Sequence, residues 1–327
     1  MLFRRPCYFD SFKCSAEKCT DNCCIGWEIC IDSDTAEFYK SVDGYLGKRL
    51  KENICDCDEP TFILKNERCP FLNKSNLCDI ISELGEDALC QICRDHPRWF
   101  EWYGNEKEGG IGLSCEEGAR LILTEENFAD CFESECDDLP DEDFDEETYT
   151  FLLSVRDKVF DILCEENMSF CEKADKTLEL CADTEARLCD EDKIDFIPFD
   201  FNSVLEKALP ILAQTEPIDG KWTAESERLK TSSLLNPDSE EEEYLTRLVA
   251  YFVWRYFLTS VFDYRVTEKF GFALFSVSII FALYSTSGKK NFDSLLKSAV
   301  LYSKQMEYST KNLDIFYENF DIKESLQ

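Results

Sequence analysis

Cysteine is the residue that most constrains this chain, because 15 of its 19 cysteines lie within residues 1–136. Such density indicates either disulfides in a secreted protein or metal binding in a reducing compartment. The total is odd, so complete internal pairing is impossible. The first residues, Met1 to Pro6, lack the apolar segment and the small-residue cleavage site of a signal peptide. We therefore expect a cytoplasmic protein whose thiolates are free to bind metal.

The spacing of the cysteines is typical of metal ligands. Close spacing lets one loop deliver several thiolates to one ion or cluster, and distant cysteines then complete the shell. Thiolates are soft ligands that suit zinc, Cu(I) or iron–sulfur clusters, and four of them can hold a [4Fe–4S] cluster. The single histidine excludes a zinc finger with two histidine ligands. The predicted metal ligands are eight cysteines: Cys14, Cys19, Cys23, Cys24, Cys69, Cys78, Cys93 and Cys115.

Reduced cysteines can instead pack in a core as small apolar residues. For the eight predicted ligands this is the minor alternative. The two interpretations are balanced for seven others, namely Cys7, Cys30, Cys55, Cys57, Cys90, Cys131 and Cys136. Core packing is the favoured interpretation for the four that fall in helical patterns after residue 160, namely Cys164, Cys171, Cys181 and Cys189.

The charge of the chain narrows the choice of partners. Its formal net charge is −33, from 35 basic and 68 acidic residues. Such a chain repels phosphate backbones and acidic lipid surfaces, so nucleic-acid partners and membrane binding are disfavoured. A basic partner, such as a lysine-bearing protein, would be attracted. The most apolar stretch, Phe270 to Leu283, is too short to span a bilayer and predicts a buried helix.

The apolar pattern predicts a mainly α-helical fold in two parts. We expect residues 1–136 to form an irregular, cysteine-rich metal-binding module, because turn-forming residues recur and apolar runs are short. We expect residues 137–327 to form a helical domain. Its predicted helices share apolar residues at three-and-four spacing and span 145–165, 203–213, 240–264, 268–286, 292–307 and 311–323.

Shorter features are also predicted. Residues 59–64 are expected to form a short strand, and residues 80–93 and 113–123 short helices, the second with Ser114 as its N-cap. The acidic run Glu240 to Glu243 favours the start of a helix, where negative side chains meet the positive end of the helix dipole. Residues 131–143 and 221–240 are expected to be exposed connections.

Cysteine motifs follow one another in a fixed order over residues 1–123. They are Cys14-x4-Cys19-x3-Cys23-Cys24-x-Gly26-Trp27, Cys69-Pro70-Phe71-Leu72, Leu77-Cys78-x-Ile80, Cys93-x3-Pro97-Arg98 and Leu113-Ser114-Cys115-x-Glu117. In this order they resemble the flagellin lysine-N-methylase (FliB) family. They also share the cysteine pattern of the wider CxxCxxCC-type zinc- or iron-chelating proteins.

The resemblance implies a protein lysine methyltransferase that transfers methyl groups from S-adenosylmethionine to flagellin or another lysine-bearing protein. It also implies a [4Fe–4S] cluster held by the N-terminal cysteines, with zinc as the alternative. The family has a tyrosine where His96 stands. His96 could be a metal ligand, since Cys93 precedes it by three residues, but we favour a capping or hydrogen-bonding role before Pro97. Trp27 and Trp99 could line a lysine pocket, although packing is the favoured role.

The residues themselves indicate a metal site without a recognisable cofactor site. The chain contains neither the GxGxxG fingerprint of a Rossmann-type domain nor the CxxxCxxC run of radical enzymes that use S-adenosylmethionine. Two alternatives to the methyltransferase therefore stay open. One is a non-enzymatic metal-binding or metal-delivery protein, and the other is a structural zinc protein that serves as an interaction module.

Overall fold

The chain forms two compact units, each with its own hydrophobic core. The first, called the helical unit below, contains Met1–Phe12, Phe100–Ser114 and Gly118–Gln327. The second contains Lys13–Trp99 and Cys115–Glu117, and 12 of the 19 cysteines fall in it, so we call it the thiol unit. The computed structural model describes residues 1–55, 57–140, 144–192, 198–218, 220–230 and 235–320.

The bounds of these units differ from the predicted boundary at residue 136. Residues 1–12, 100–114 and 118–136 belong to the helical unit, although they precede the predicted boundary. The contacts within each unit show how the chain packs, but they do not test which residues bind metal. The predicted division into a metal-binding module and a helical domain therefore stays a prediction.

The predicted mainly α-helical class is confirmed, with thirteen α-helices in the described part of the chain. The thiol unit contains α1 (Ser33–Ser41), α2 (Gly44–Glu52), α3 (Asp79–Leu84) and α4 (Gln91–Asp95). Helix α5 (Glu116–Thr124) begins in the thiol unit and continues in the helical unit. The remaining helices are α6 (Glu146–Leu163), α7 (Phe170–Cys189), α8 (Phe201–Leu212), α9 (Gly220–Leu229), α10 (Ser239–Tyr256), α11 (Val266–Thr286), α12 (Phe292–Met306) and α13 (Thr310–Asn319).

A four-stranded sheet accompanies these helices and was not predicted. Its strands are β1 (Leu2–Pro6), β2 (Arg98–Tyr103), β3 (Glu106–Ile111) and β4 (Cys131–Glu135), in the order β2-β3-β1-β4. Strand β1 runs parallel to β3 with Phe3 opposite Lys107, and antiparallel to β4 with Phe3 opposite Ser134. Strand β4 occupies the first five residues of the expected connection 131–143. Residues 141–143 of that connection lie outside the described residues.

Helix α11 is central to the helical unit and packs against α7, α8, α10 and α12. By length and composition alone it is long and apolar enough to cross a membrane, the one such helix among the described residues. However, 94% of its most apolar 18-residue window is buried inside the protein. The predicted buried helix around Phe270 to Leu283 is therefore confirmed, and it extends further at both ends.

Six predicted helices of the second half are confirmed as α6, α8, α10, α11, α12 and α13, with ends that shift by a few residues. The predicted helix 240–264 ends early, at Tyr256, where the 3-10 helix Phe257–Val261 follows. Its predicted acidic start is confirmed, because Asp238 and Glu241 form a reciprocal capping box. Residues 321–323 of the last predicted helix lie outside the described part.

Two expectations for the helical unit were wrong. Residues 221–240 were expected to be an exposed connection, but α9 buries Trp222 and Leu229 in the core. Residues 231–234 of that segment lie outside the described residues. Helix α7 was missed, although it begins with a capping box formed by Ser169 and Glu172.

The short features of the first half are partly as predicted. Residues 59–64 form only isolated bridges, between Thr61 and Cys30 and between Phe62 and Ile54. The predicted helix 80–93 becomes α3 and α4, because Gly85 ends α3 with a φ of 92° that favours glycine. Helix α5 begins at Glu116, and the buried Ser114 hydroxyl has no hydrogen-bond partner, so the predicted cap was wrong.

A buried ion pair joins the sheet to the helices. The Arg156 guanidinium on α6 donates to both carboxylate oxygens of Glu108 on β3, at 2.7 and 2.5 Å. The two side chains are 2% and 1% exposed. The guanidinium also lies 4.4 Å from the ring centroid of Trp254 on α10. One cation therefore connects three elements of the helical unit.

We expect Arg156→Met to lower the free energy of unfolding by about 3–5 kcal/mol, because the Glu108 carboxylate would stay buried without its partner. The matched control is Lys297→Met, which breaks the exposed pair between Lys297 and Asp293 at 2.8 Å. That loss should be about 1 kcal/mol or less. Unfolding in urea, monitored by circular dichroism, measures both losses. Equal losses would contradict the stabilising role of the buried pair between Arg156 and Glu108.

Candidate metal centre

All eight predicted metal ligands lie in the thiol unit. Every cysteine of the chain is a free thiol in this structure. The eight residues come from three separate stretches of the thiol unit, the segment 14–24, the segment 69–93 and the short return at 115. Folding of this unit is therefore what brings the predicted ligands toward one another.

Backbone hydrogen bonds join the first cysteine segment to the second. The Cys69 N–H donates to the Cys24 carbonyl oxygen at 2.8 Å, and the Gly26 N–H donates to the Glu67 oxygen at 2.7 Å. Gly26 has a φ of +80°, a conformation that glycine adopts without strain. The pairing holds Cys24 and Cys69 on adjacent strands of backbone.

A tight loop brings Cys78 back beside Cys69. Leu72 and Cys78 form an isolated antiparallel bridge. The Asn73 side chain stabilises the turn between them, because its oxygen accepts from the N–H groups of Ser75 at 2.9 Å and Leu77 at 3.1 Å. Cys78 then occupies the N-cap position of α3.

Arg49 on α2 holds both ends of this loop. Its guanidinium donates to the Asp79 carboxylate at 2.8 Å and to the Pro70 carbonyl oxygen at 2.9 Å. It also lies 5.3 Å from the ring centroid of Phe71, which is fully buried. Because Pro70 follows Cys69 and Asp79 follows Cys78, Arg49 fixes the backbone next to two predicted ligands.

Asp32 positions the last cysteine pair. Its carboxylate caps α1 by accepting from the Thr35 N–H at 3.0 Å, and it accepts from the Gln91 N–H of α4 at 2.8 Å. Burial acts against the charged form, yet these two backbone hydrogen bonds leave the pKa of Asp32 below its usual range. The start of α4, between Cys90 and Cys93, is thereby tied to α1.

In two pairs of neighbouring thiols, one thiol shifts the pKa of its partner. Interaction with Cys23, followed by burial, raises the pKa of Cys24. Cys93 interacts with Cys90 in the same way, which raises the pKa of Cys93 and lowers that of Cys90. In each pair, the neighbouring sulfur therefore favours the protonated form of one thiol, Cys24 or Cys93.

Electrostatic coupling links the two pairs to the loop cysteines. Burial, together with the charges of Cys78 and Cys90, raises the pKa of Cys69 to about 11. The charges of Cys69 and Cys78 also raise the pKa of Cys24, and those of Cys23 and Cys69 also raise the pKa of Cys93. We call this set the thiol cluster, and its members are Cys23, Cys24, Cys69, Cys78, Cys90 and Cys93.

The three remaining predicted ligands, Cys19, Cys115 and Cys14, are not members of this set. Burial raises the pKa of Cys19 to about 11, with further contributions from Glu116 and Cys23. Thr20 donates to Glu116 through both its N–H, at 2.7 Å, and its hydroxyl, which links this segment to the half-buried Cys115. Cys14 is exposed, and its sulfur accepts from the Ala16 N–H at 3.4 Å.

Cys90 is a member of the thiol cluster that sequence reasoning did not select. Its CxxC spacing from Cys93 was the available signal. It is fully buried in the core of the thiol unit.

Cysteines with an expected packing role differ among themselves. Cys181 is fully buried in α7, as predicted, whereas Cys164 and Cys189 are exposed, so core packing was wrong for them. The exposed Cys57 thiol donates to the Glu59 carbonyl oxygen at 3.1 Å, and the neighbouring half-buried Cys55 raises the pKa of Cys57.

The donor chemistry of the thiol unit fits a soft metal or an iron–sulfur cluster, because the coupled groups are all free thiols. Among the described residues, no group of three or more His, Cys, Asp or Glu side chains is arranged to hold a metal ion. The eight predicted ligands therefore stay a prediction. Both interpretations stay open for His96, which follows α4, namely metal ligand or capping residue. They also stay open for the half-buried Trp27 and Trp99, namely pocket lining or packing.

The fold and the site together define a mainly helical protein with a compact unit of coupled free thiols. Comparison with known proteins gives three relevant relatives. The flagellar biosynthetic protein FliU of Salmonella muenchen is 30% identical over 134 residues, which cover 37% of this chain and 76% of FliU. Lysine-N-methylases of Salmonella typhimurium and Salmonella choleraesuis are each 30% identical over 128 residues, 37% of this chain.

The chain belongs to the family of FliU and the lysine-N-methylases, which confirms the resemblance seen in the cysteine motifs. The matched region covers 32% of the length of each lysine-N-methylase. No family model matches the chain. No solved structure matches it at a significant level.

We expect Asp32→Ala to lower the free energy of unfolding of the thiol unit by about 1–3 kcal/mol, because both the α1 cap and the bond to Gln91 are lost. The matched control is Asp34→Ala, since Asp34 is an exposed acid in the first turn of the same helix. Chemical denaturation of the full chain, followed by hydrogen exchange of residues 33–41, measures the loss.

The effect of Asp32→Ala should depend on pH. The folded-state pKa of Asp32 is lowered, so its contribution is complete above the unfolded value of about 3.9 and is lost as the pH falls through the folded value. The difference between wild type and Asp32→Ala should therefore be largest at pH 7 and shrink below about pH 4. A difference that grows on acidification would contradict this role.

Proposed function

We propose that this protein is a protein lysine N-methyltransferase that uses S-adenosylmethionine and acts on flagellin or another lysine-bearing protein. One observation carries the proposal, namely the 30% identity to two proteins named lysine-N-methylase. The relative FliU is named as a flagellar biosynthetic protein, which supports a flagellar substrate. The net charge of −33 favours a basic partner over an acidic one.

The proposed reaction is a displacement at the methyl carbon of the sulfonium. A neutral lysine Nε attacks that carbon, the new C–N bond forms as the C–S bond breaks, and the thioether product leaves with the bonding pair. The amine loses its proton to solvent or to a nearby base. Rate enhancement of this step comes mainly from aligning amine, methyl and sulfur, and from keeping the amine neutral.

We further propose that the thiol unit holds a [4Fe–4S] cluster, or zinc as the alternative. One such cluster needs four thiolates, and the ligands would come from Cys23, Cys24, Cys69, Cys78, Cys93 and the nearby predicted cysteines. A bound cluster would supply a rigid link between the loops of the unit. Methyl displacement requires no redox step, so we assign the group a structural or positioning role. Free thiols fit a reducing compartment, so we propose a cytoplasmic location.

A second candidate function is a non-enzymatic metal-binding protein or interaction module. One observation favours it, because the match spans 32% of each lysine-N-methylase and leaves most of their length unmatched. In that case the chain would share the cysteine unit of its relatives without their activity.

Methyl transfer is tested with anaerobically purified protein, tritiated S-adenosylmethionine and flagellin. We expect label to enter flagellin lysines, identified by mass spectrometry as a gain of one or more methyl groups. Acetylated flagellin, whose amines are blocked, is the control and should stay unlabelled. Absence of labelling on every flagellin tried, together with absence of donor binding by calorimetry, would overturn the proposal in favour of the second candidate.

Metal ligation is tested by comparing two buried cysteines. Cys69→Ser removes a member of the thiol cluster, and Cys181→Ser removes a fully buried cysteine of α7. We expect about four irons and four acid-labile sulfides in the wild type. The Cys69 variant should lose most of them, and the Cys181 variant should keep them. Zinc without sulfide would support the alternative metal, and equal metal content in both variants would contradict a ligand role for Cys69.

A further inference from the structure

A lysine of the helical unit lies inside a group of aromatic rings. The Lys107 ammonium on β3 is 4.5 Å from the ring centroid of Phe100, 4.8 Å from that of Trp102 and 5.8 Å from that of Phe3. All three distances fall within the range of about 6 Å over which a ring face attracts a cation. We call Phe3, Phe100 and Trp102 the aromatic cage.

A carboxylate completes the surroundings of the ammonium. One oxygen of Asp138 accepts from the Lys107 Nζ at 2.7 Å and from the Trp102 indole N–H at 3.0 Å. These two hydrogen bonds lower the pKa of the Asp138 carboxyl, so it is ionised at neutral pH. Asp138 therefore both binds the cation and orients one wall of the aromatic cage.

The sheet is shaped to seat these rings. Phe3 on β1 lies directly opposite Lys107 on β3 in the parallel register. Two residues further along β3, Gly109 leaves open a space into which the rings of Phe3 and Phe100 pack. A Cβ at that position would lie 2.9 Å from a carbon of each ring, too close to fit without a shift. The ring centroids of Phe3 and Phe9 lie 5.6 Å apart in an edge-to-face contact, which holds the Phe3 ring of the aromatic cage in place.

The aromatic cage lies close to the protein surface. The Lys107 side chain is 16% exposed, but the Asp138 side chain is 37% exposed and Trp102 is 48% exposed. Lys107 reaches the cage on a flexible four-carbon stem with three freely rotating donors. Exchange of Lys107 for another ammonium would therefore require only motion of this stem.

We propose that the aromatic cage and Asp138 form a binding site for a mono- or dimethylated lysine side chain of a basic protein, with Lys107 as an internal competitor. Methyl groups increase contact with the rings and weaken hydration of the cation. A remaining N–H still donates to Asp138, which a trimethylated lysine cannot do. Unmodified lysine is disfavoured, because the tethered Lys107 has the same chemistry at a higher effective concentration. This inference concerns binding and goes beyond the proposed methyltransferase activity.

The test measures binding of a basic peptide that carries one dimethyllysine, by calorimetry on the full chain. Lys107→Ala removes the competitor and should bind the peptide at least about tenfold more tightly than the wild type. Lys158→Ala, which removes an exposed lysine of α6, is the matched control and should bind like the wild type. Adding Trp102→Ala to Lys107→Ala should abolish the gain. Equal affinities of the two single variants would overturn the proposal.

Two further measurements keep the proposal testable if Lys107→Ala does not fold. In the wild type, saturating dimethyllysine peptide should expose Lys107 to acylation by an amine reagent, read by mass spectrometry, and unchanged labelling would contradict displacement. A trimethyllysine peptide should bind more weakly than the dimethyl form, and the reverse order would contradict the role of Asp138. Neither measurement involves methyl transfer, so failure of the proposed activity leaves this inference to be judged separately.

Discussion

The hydrogen bond from the Cys69 N–H to the Cys24 carbonyl oxygen joins two cysteine segments that lie far apart in the chain. Together with the bond from the Gly26 N–H to the Glu67 carbonyl oxygen, it positions Cys23 and Cys24 relative to the loop that carries Cys69 and Cys78. Thiols that are brought together and shielded from water favour their protonated forms, which is why burial raises the pKa of Cys69. A soft metal would exchange those protons for coordinate bonds, so the same packing suits both the free thiols and a bound group.

The chain has 35 basic residues against 68 acidic ones, and several of its cations share one arrangement. Arg49, Arg156 and Lys107 each meet a carboxylate and the face of an aromatic ring. The two arginines hold elements together, because a planar guanidinium can bond to several groups at once. Lys107 differs, since it is a point charge on a flexible stem, and we propose that a methylated lysine can displace it.

Periodicity predicted the long helices well, because α10, α11 and α12 bury apolar residues whose helical spacing is plain in the sequence. It failed where a single element depends on a distant partner. Strands β1 and β3 pair across about a hundred residues, and nothing local in Leu2–Pro6 reveals Glu106–Ile111 as its neighbour. Helix α9 was missed for a similar reason, since only two of its side chains are buried and its polar residues look like a connection.

The sequence by itself determined the cysteine inventory, the motif order that identifies the family, and the helical character of the second half. Spacing along the chain is enough for those features, because they depend on residue type and local periodicity. Only the tertiary structure decided that Cys90 joins the thiol cluster, and that Arg49 and Asp32 hold its loops. It alone brought Phe3, Phe100, Trp102 and Asp138 around Lys107. Hydrogen bonds and ring contacts between distant segments have no signature in a single sequence, since folding is what creates their geometry.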